Sequence, residues 1–112
     1  MLIEHRIEKG VCIVTINGDI TREEVDEVED YVKPFLKDEA IQGLALNLAQ
    51  VNILDSTGIG LVVTMLKSLR QREAKLALYH INEKNLAIFK MIQLDKILKL
   101  YQTEAEALAY FE

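Results

Sequence analysis

The chain has 112 residues, half of them hydrophobic, which suits one domain with a real core and leaves no room for two. Its 18 acidic residues against 13 basic ones give a net charge of −5, and no basic stripe supplies the counterion displacement that nucleic-acid binding needs. A single Cys excludes an internal disulfide framework, no apolar run approaches the roughly 20 residues that cross a bilayer, and Met1-Leu-Ile-Glu-His-Arg6 is charged too early for a signal peptide, so a cytoplasmic monomer without nucleic-acid or membrane partners is expected.

Leu2 to Glu8 and Val11 to Asn17 are two short apolar-rich runs around Lys9-Gly10, a pattern that predicts a tight antiparallel hairpin. Cys12 lies in the second run as a buried strand thiol, with no second Cys or nearby His at metal-ligand spacing. A first helix is expected from about Thr21, where Thr21 and Glu24 match a capping box. Its apolar positions are Val25, Val28, Val32, Phe35 and Leu36, and Pro34 is expected to kink or stop it.

Gly43 to Leu48 is almost wholly apolar and reads as a central strand buried on both faces. A turn leads into a second helix, Ser56 to Arg72, and Lys75 to His80 forms another buried strand. Asn82 is the expected N-cap of a third helix with Leu86, Phe89 and Ile92 on one face. Lys96 to Tyr101 reads as an edge strand guarded by its lysines, and Thr103 with Glu106 opens a last helix carrying Leu108 and Phe111. The order is β-β-α-β-α-β-α-β-α: an α/β domain with a mixed sheet of four to five strands and four helices.

The stretch Asn52-Ile-Leu-Asp-Ser-Thr-Gly-Ile-Gly60 carries the chemistry. It joins a buried strand to a helix N-terminus, where free N–H groups and the dipole favour negative charge. Asp55 and Ser56 both suit the N-cap, and Gly58 and Gly60 in the first turn imply close approach of something to the backbone. Helical spacing puts Ile59, Val62, Val63, Leu66 and Leu69 on the core stripe, and Ser56, Gly60, Thr64 and Lys67 on the opposite flank. Leu61 and Met65 fall at the edge of that stripe, half exposed, where they would rim a flat partner surface.

Other readings of the same residues stand beside this one. Ser56 can be an N-cap only, with the glycines as packing concessions. A hydrolase reading ranks below it, since Gly-x-Ser-x-Gly is absent and His5 and His80 are the only candidate bases. No Gly-Lys-Ser/Thr follows to make a phosphate-binding loop, and nothing calls for a cofactor or a metal.

The segment Leu46 to Gly60, with its Asp55-Ser-Thr-Gly58 core, resembles the signature of the STAS domain in its anti-sigma-factor antagonist branch, and the resemblance covers essentially the whole chain. It implies that Ser56 is phosphorylated by an anti-sigma factor of the GHKL serine-kinase type. It further implies that the unphosphorylated form binds that kinase and frees a sigma factor, and that a PP2C-type phosphatase restores the serine. The partner surface would comprise Asp55, Ser56, Thr57, Gly58, Gly60, Leu61 and Thr64, together with the turn from Val51. Two departures stand out, since the family often has Asp where this chain has Asn47 and Thr21. The alternative within the family is a scaffold or small-ligand-sensing module, with Ser56 unmodified.

Overall fold

A computed structural model describes residues 1–112. The hairpin forms as the sequence predicts. Strands β1 (Leu2–Glu8) and β2 (Val11–Asn17) pair antiparallel around Lys9 and Gly10, whose φ angles of 51° and 82° are the left-handed pair that a two-residue turn requires. Helix α1 (Val25–Lys37), strand β3 (Gly43–Gln50), helix α2 (Ser56–Arg70) and strand β4 (Lys75–Tyr79) follow. Helix α3 (Glu83–Met91), strand β5 (Lys99–Tyr101) and helix α4 (Glu104–Ala109) complete the chain. The five strands lie in sequence order, with every pair after the first parallel.

Alternation along the strands divides the core between the two faces of the sheet. Cys12, Val14, Leu44, Leu46, Leu76 and Leu78 point to a large core roofed by α1, α2 and α3. Val11, Ile13, Ala45, Ala77 and Tyr79 point the other way, where Ala107 of α4 meets them. Two alanines in adjacent strands leave room for a six-residue helix to lie close to the sheet. Thr103 and Glu106 close the expected capping box, and Asn82 caps α3 by accepting from the Asn85 amide at 2.8 Å. Cys12 is fully buried, and burial pushes its thiol up to about 11. No helix is long and apolar enough to cross a membrane.

Several boundaries differ from the sequence reading, each for a local reason. α1 begins at Val25 because the Thr21 hydroxyl donates to Glu24 Oε1 at 2.6 Å instead of capping, so residues 21–24 form a turn. The helix runs past Pro34 to Lys37; Pro34 is on the exposed side, while Val32 and Leu36 hold the buried face. α2 ends at Arg70 because Arg72 turns away to bind three carbonyls, those of Phe35 and Leu36 in the last turn of α1 and that of Ile41 in the loop before β3. His80 leaves β4 with φ at 56°. Leu94–Lys96 is a 3₁₀ turn, so β5 starts only at Lys99. Ile92 is the C-cap of α3 and exposed, not part of its buried face.

Candidate functional site

The site is built at the carboxyl ends of β2 and β3, where two loops are tied together. Asp19 Oδ1 accepts from the amides of Asn52 (3.2 Å) and Ile53 (3.0 Å). The Ile20 amide donates to Ile53 O at 2.9 Å, and Ile20 and Leu54 form a parallel bridge. From the other side, the Asn82 and Asn85 side-chain amides each donate to Asn52 O at 3.1 Å. Residues 51–53 are therefore held from both sides by polar side chains of distant segments. Asp19, Asn85 and Asn82 act across 30 or more positions, and only Asn82 had a local signal, as a cap.

Asp55 is the N-cap of α2. Its Oδ1 accepts from Thr57 Oγ1 at 2.6 Å and from the Gly58 amide at 3.0 Å, and its Oδ2 accepts from the Arg22 amide at 2.9 Å. The Thr57 hydroxyl, then the Gly58 and Arg22 amides, hold the carboxyl down to about 2 against an ordinary 3.8. A depressed carboxylate contributes stability that is complete above 3.8 and lost as pH falls toward 2. Accordingly, the Tm difference between the protein and Asp55→Asn should shrink as pH falls through that window in thermal melts. A difference constant with pH would contradict this role for the charge.

This arrangement separates two adjacent hydroxyls. Thr57 is committed to Asp55, whereas Ser56, the first residue of α2, is exposed and its hydroxyl has no partner within the chain. Gly60 and Thr64 lie exposed along the same helix, and a Cβ on Gly60 would meet nothing within 4 Å. Ile53, 42% exposed, adds an apolar side chain in the turn before them.

Five residues expected at this surface are not there: Val51 and Leu54 of the turn point inward to the main core, and Gly58, Leu61 and Met65 are buried as well. Gly58 is buried, and a Cβ on it would lie 2.2 Å from Ile20 O, so the glycine serves the contact between the two loops and not a partner. Leu61 is 6% exposed and Met65 1%; both are core, not rim. Gly58, Leu61, Val62, Met65, Leu66 and Leu69 form the buried stripe at i, i+3, i+4, i+7, i+8 and i+11, while Ile59 and Val63 take the half-buried positions. The buried stripe is thus turned by one position from the one that apolar spacing predicts, because it runs through Gly58, which carries no apolar side chain to mark it.

The remaining candidates stay apart from this chemistry. His5 Nδ1 pairs with Tyr31 Oη at 2.6 Å, with no carboxylate behind it, and His80 lies exposed against Tyr79. Asn47 turns back on its own strand, with Oδ1 accepting from the Ala49 amide at 3.1 Å.

Comparison with known proteins agrees with this architecture. The anti-sigma-B factor antagonist of Staphylococcus epidermidis is 31% identical over 94 residues, covering 83% of this chain and 86% of the relative. The crystal structure of the Thermotoga maritima protein TM1081 superposes with a TM-score of 0.91 at 28% identity, over 97% of this chain and 93% of that one. The Bacillus cell fate determinant SpoIIAA in its phosphorylated form shares the fold, with a TM-score of 0.77 at 16% identity over 99% and 100% of the two chains. The STAS domain model matches residues 3–107, nearly the full length, and the chain belongs to the STAS domain family.

Proposed function

We propose that this protein is an anti-sigma factor antagonist working by partner switching in the cytoplasm. Its unphosphorylated form binds an anti-sigma factor of the GHKL serine-kinase type and displaces a sigma factor. Phosphorylation of Ser56 by that kinase ends the complex, and a PP2C-type phosphatase resets the cycle. The activity is binding, not catalysis.

The observation that carries this reading is the contrast at the start of α2. Ser56 presents a free, exposed hydroxyl, while the neighbouring Thr57 hydroxyl is held by Asp55. Around it, Ile53, Gly60 and Thr64 form a small-residue surface on which another backbone can lie. Gly60 has no internal reason to be glycine, since the space over it is open. Close approach of a partner supplies one. Gly60→Arg should therefore abolish binding to the cognate kinase, measured by isothermal titration, without lowering the melting temperature. Undiminished binding would place the interface elsewhere.

A further inference from the structure

β1 is an edge strand of seven residues, none of them buried. The hairpin turn fixes which backbone groups it leaves free. Glu8 and Val11 flank the two-residue loop and so exchange hydrogen bonds. Alternation makes Arg6, Glu4 and Leu2 the other residues bonded to β2. The N–H and C=O groups of Ile3, His5 and Ile7 therefore point outward, away from the sheet.

The side chains of this strand are complementary to themselves. In Leu2-Ile-Glu-His-Arg-Ile-Glu8, a second copy laid antiparallel with His5 opposite His5 puts Glu4 against Arg6 twice and Ile3 against Ile7 twice. Moving the register by two residues in either direction sets Glu4 on Glu4 or Arg6 on Arg6, and like charges directly opposite are destabilising. The centred register matches Glu4 with Arg6 and Ile3 with Ile7 and leaves Leu2 opposite Glu8 at its ends; the register that sets Arg6 on Glu8 around Ile7 pairs only three residues of each strand. Charges on an edge ordinarily block pairing; here opposite signs two residues apart match an inverted copy.

The surroundings fit the same arrangement. Glu4 has no ion-pair partner within the chain, while Arg6 is shared by Glu8 and Glu104 and keeps donors free. Ile7 is 51% exposed and lies on the face of the sheet that carries the main core, opposite Cys12 in register. Pairing two copies brings Ile3 and Ile7 together as an extension of that core.

We propose that the chain forms a two-fold dimer through β1, joining two sheets into one continuous sheet. This replaces the expected monomer, and it is independent of the surface around Ser56.

The test exchanges charges. Sedimentation velocity of the full chain, run up to millimolar concentration, should show a monomer–dimer equilibrium. Glu4→Arg and Arg6→Glu each set like charges opposite in a homodimer, and each should raise the dimer dissociation constant by about tenfold or more. An equimolar mixture of the two variants restores opposite charges at every pair, and it should dimerise at least as well as the original chain. His5→Pro removes the outward N–H at the two-fold axis, at an edge position where Pro is tolerated, and should leave a folded monomer by circular dichroism. A wild-type chain that is monomeric throughout overturns the proposal. So does dimerisation untouched by the single substitutions and by His5→Pro, or a mixture that associates no better than its components.

Discussion

Ser56→Asp is expected to weaken binding to the anti-sigma factor kinase by about tenfold, and phosphorylation of Ser56 by about a hundredfold, roughly 3 kcal/mol. The fold should be indifferent to both. Ser56 is exposed, and it stands at a helix N-terminus, where the dipole and free N–H groups favour an anion. The interface is where the cost falls. A surface complementary to a small neutral hydroxyl must desolvate a group carrying a charge of about −1.5 to −2. Asp55 lies one residue away, already ionised, with its oxygens committed to Arg22, Thr57 and Gly58. It repels the new charge and, as a carboxylate, has no donor to offer it. Titration calorimetry with the kinase, alongside far-ultraviolet circular dichroism, reads both halves of the expectation. Equal affinity for Ser56→Asp and the original chain would remove charge as the switch.

The second large effect separates the two glycines of α2. Gly58→Ala places a Cβ against Ile20 O at 2.2 Å. That carbonyl cannot easily retreat, because the Ile20 amide is bonded to Ile53 O and the residue is bridged to Leu54. Overpacking of this kind costs about 1–3 kcal/mol, only partly offset by the better helix propensity of Ala. We expect a net loss of about 1–2 kcal/mol and a Tm lower by about 4–8 °C. Gly60→Ala should do the reverse, gaining about 0.5–1 kcal/mol, since its Cβ would stand in open space. Thermal melts of the pair decide the matter. Two glycines responding alike would contradict the different roles assigned to them.

Much of the architecture was legible in local pattern. The Lys9-Gly10 turn, the apolar run of β3, the Asn82 cap and the Thr103–Glu106 box are all signals within a few residues, and each forms as read. The Asp55 cap was legible for the same reason. What the sequence concealed depends on contacts between distant segments. The Asp19 carboxylate that holds Asn52 and Ile53, the Asn85 amide that reaches Asn52, and the Arg72 guanidinium that collects carbonyls from the end of α1 have no local periodicity to betray them. The rotation of α2 belongs with these. Whether Leu61 faces the core or a partner depends on where Gly58 lodges, and that is set by Ile20 in another loop. Ser56, Thr57, Gly60 and Thr64 remain at the surface, so the proposed interface narrows to them and Ile53, with Asp55 as its anchor.

Partner switching of this kind requires Ser56 to be the sole acceptor of the phosphate. Its most direct test is incubation of the purified protein with the cognate anti-sigma factor kinase and ATP, followed by mass-spectrometric mapping of the modified residue. A single phosphate is expected on Ser56 and none on Ser56→Ala, which should still bind the kinase. Phosphate on Thr57 or elsewhere with Ser56 unmodified would contradict it.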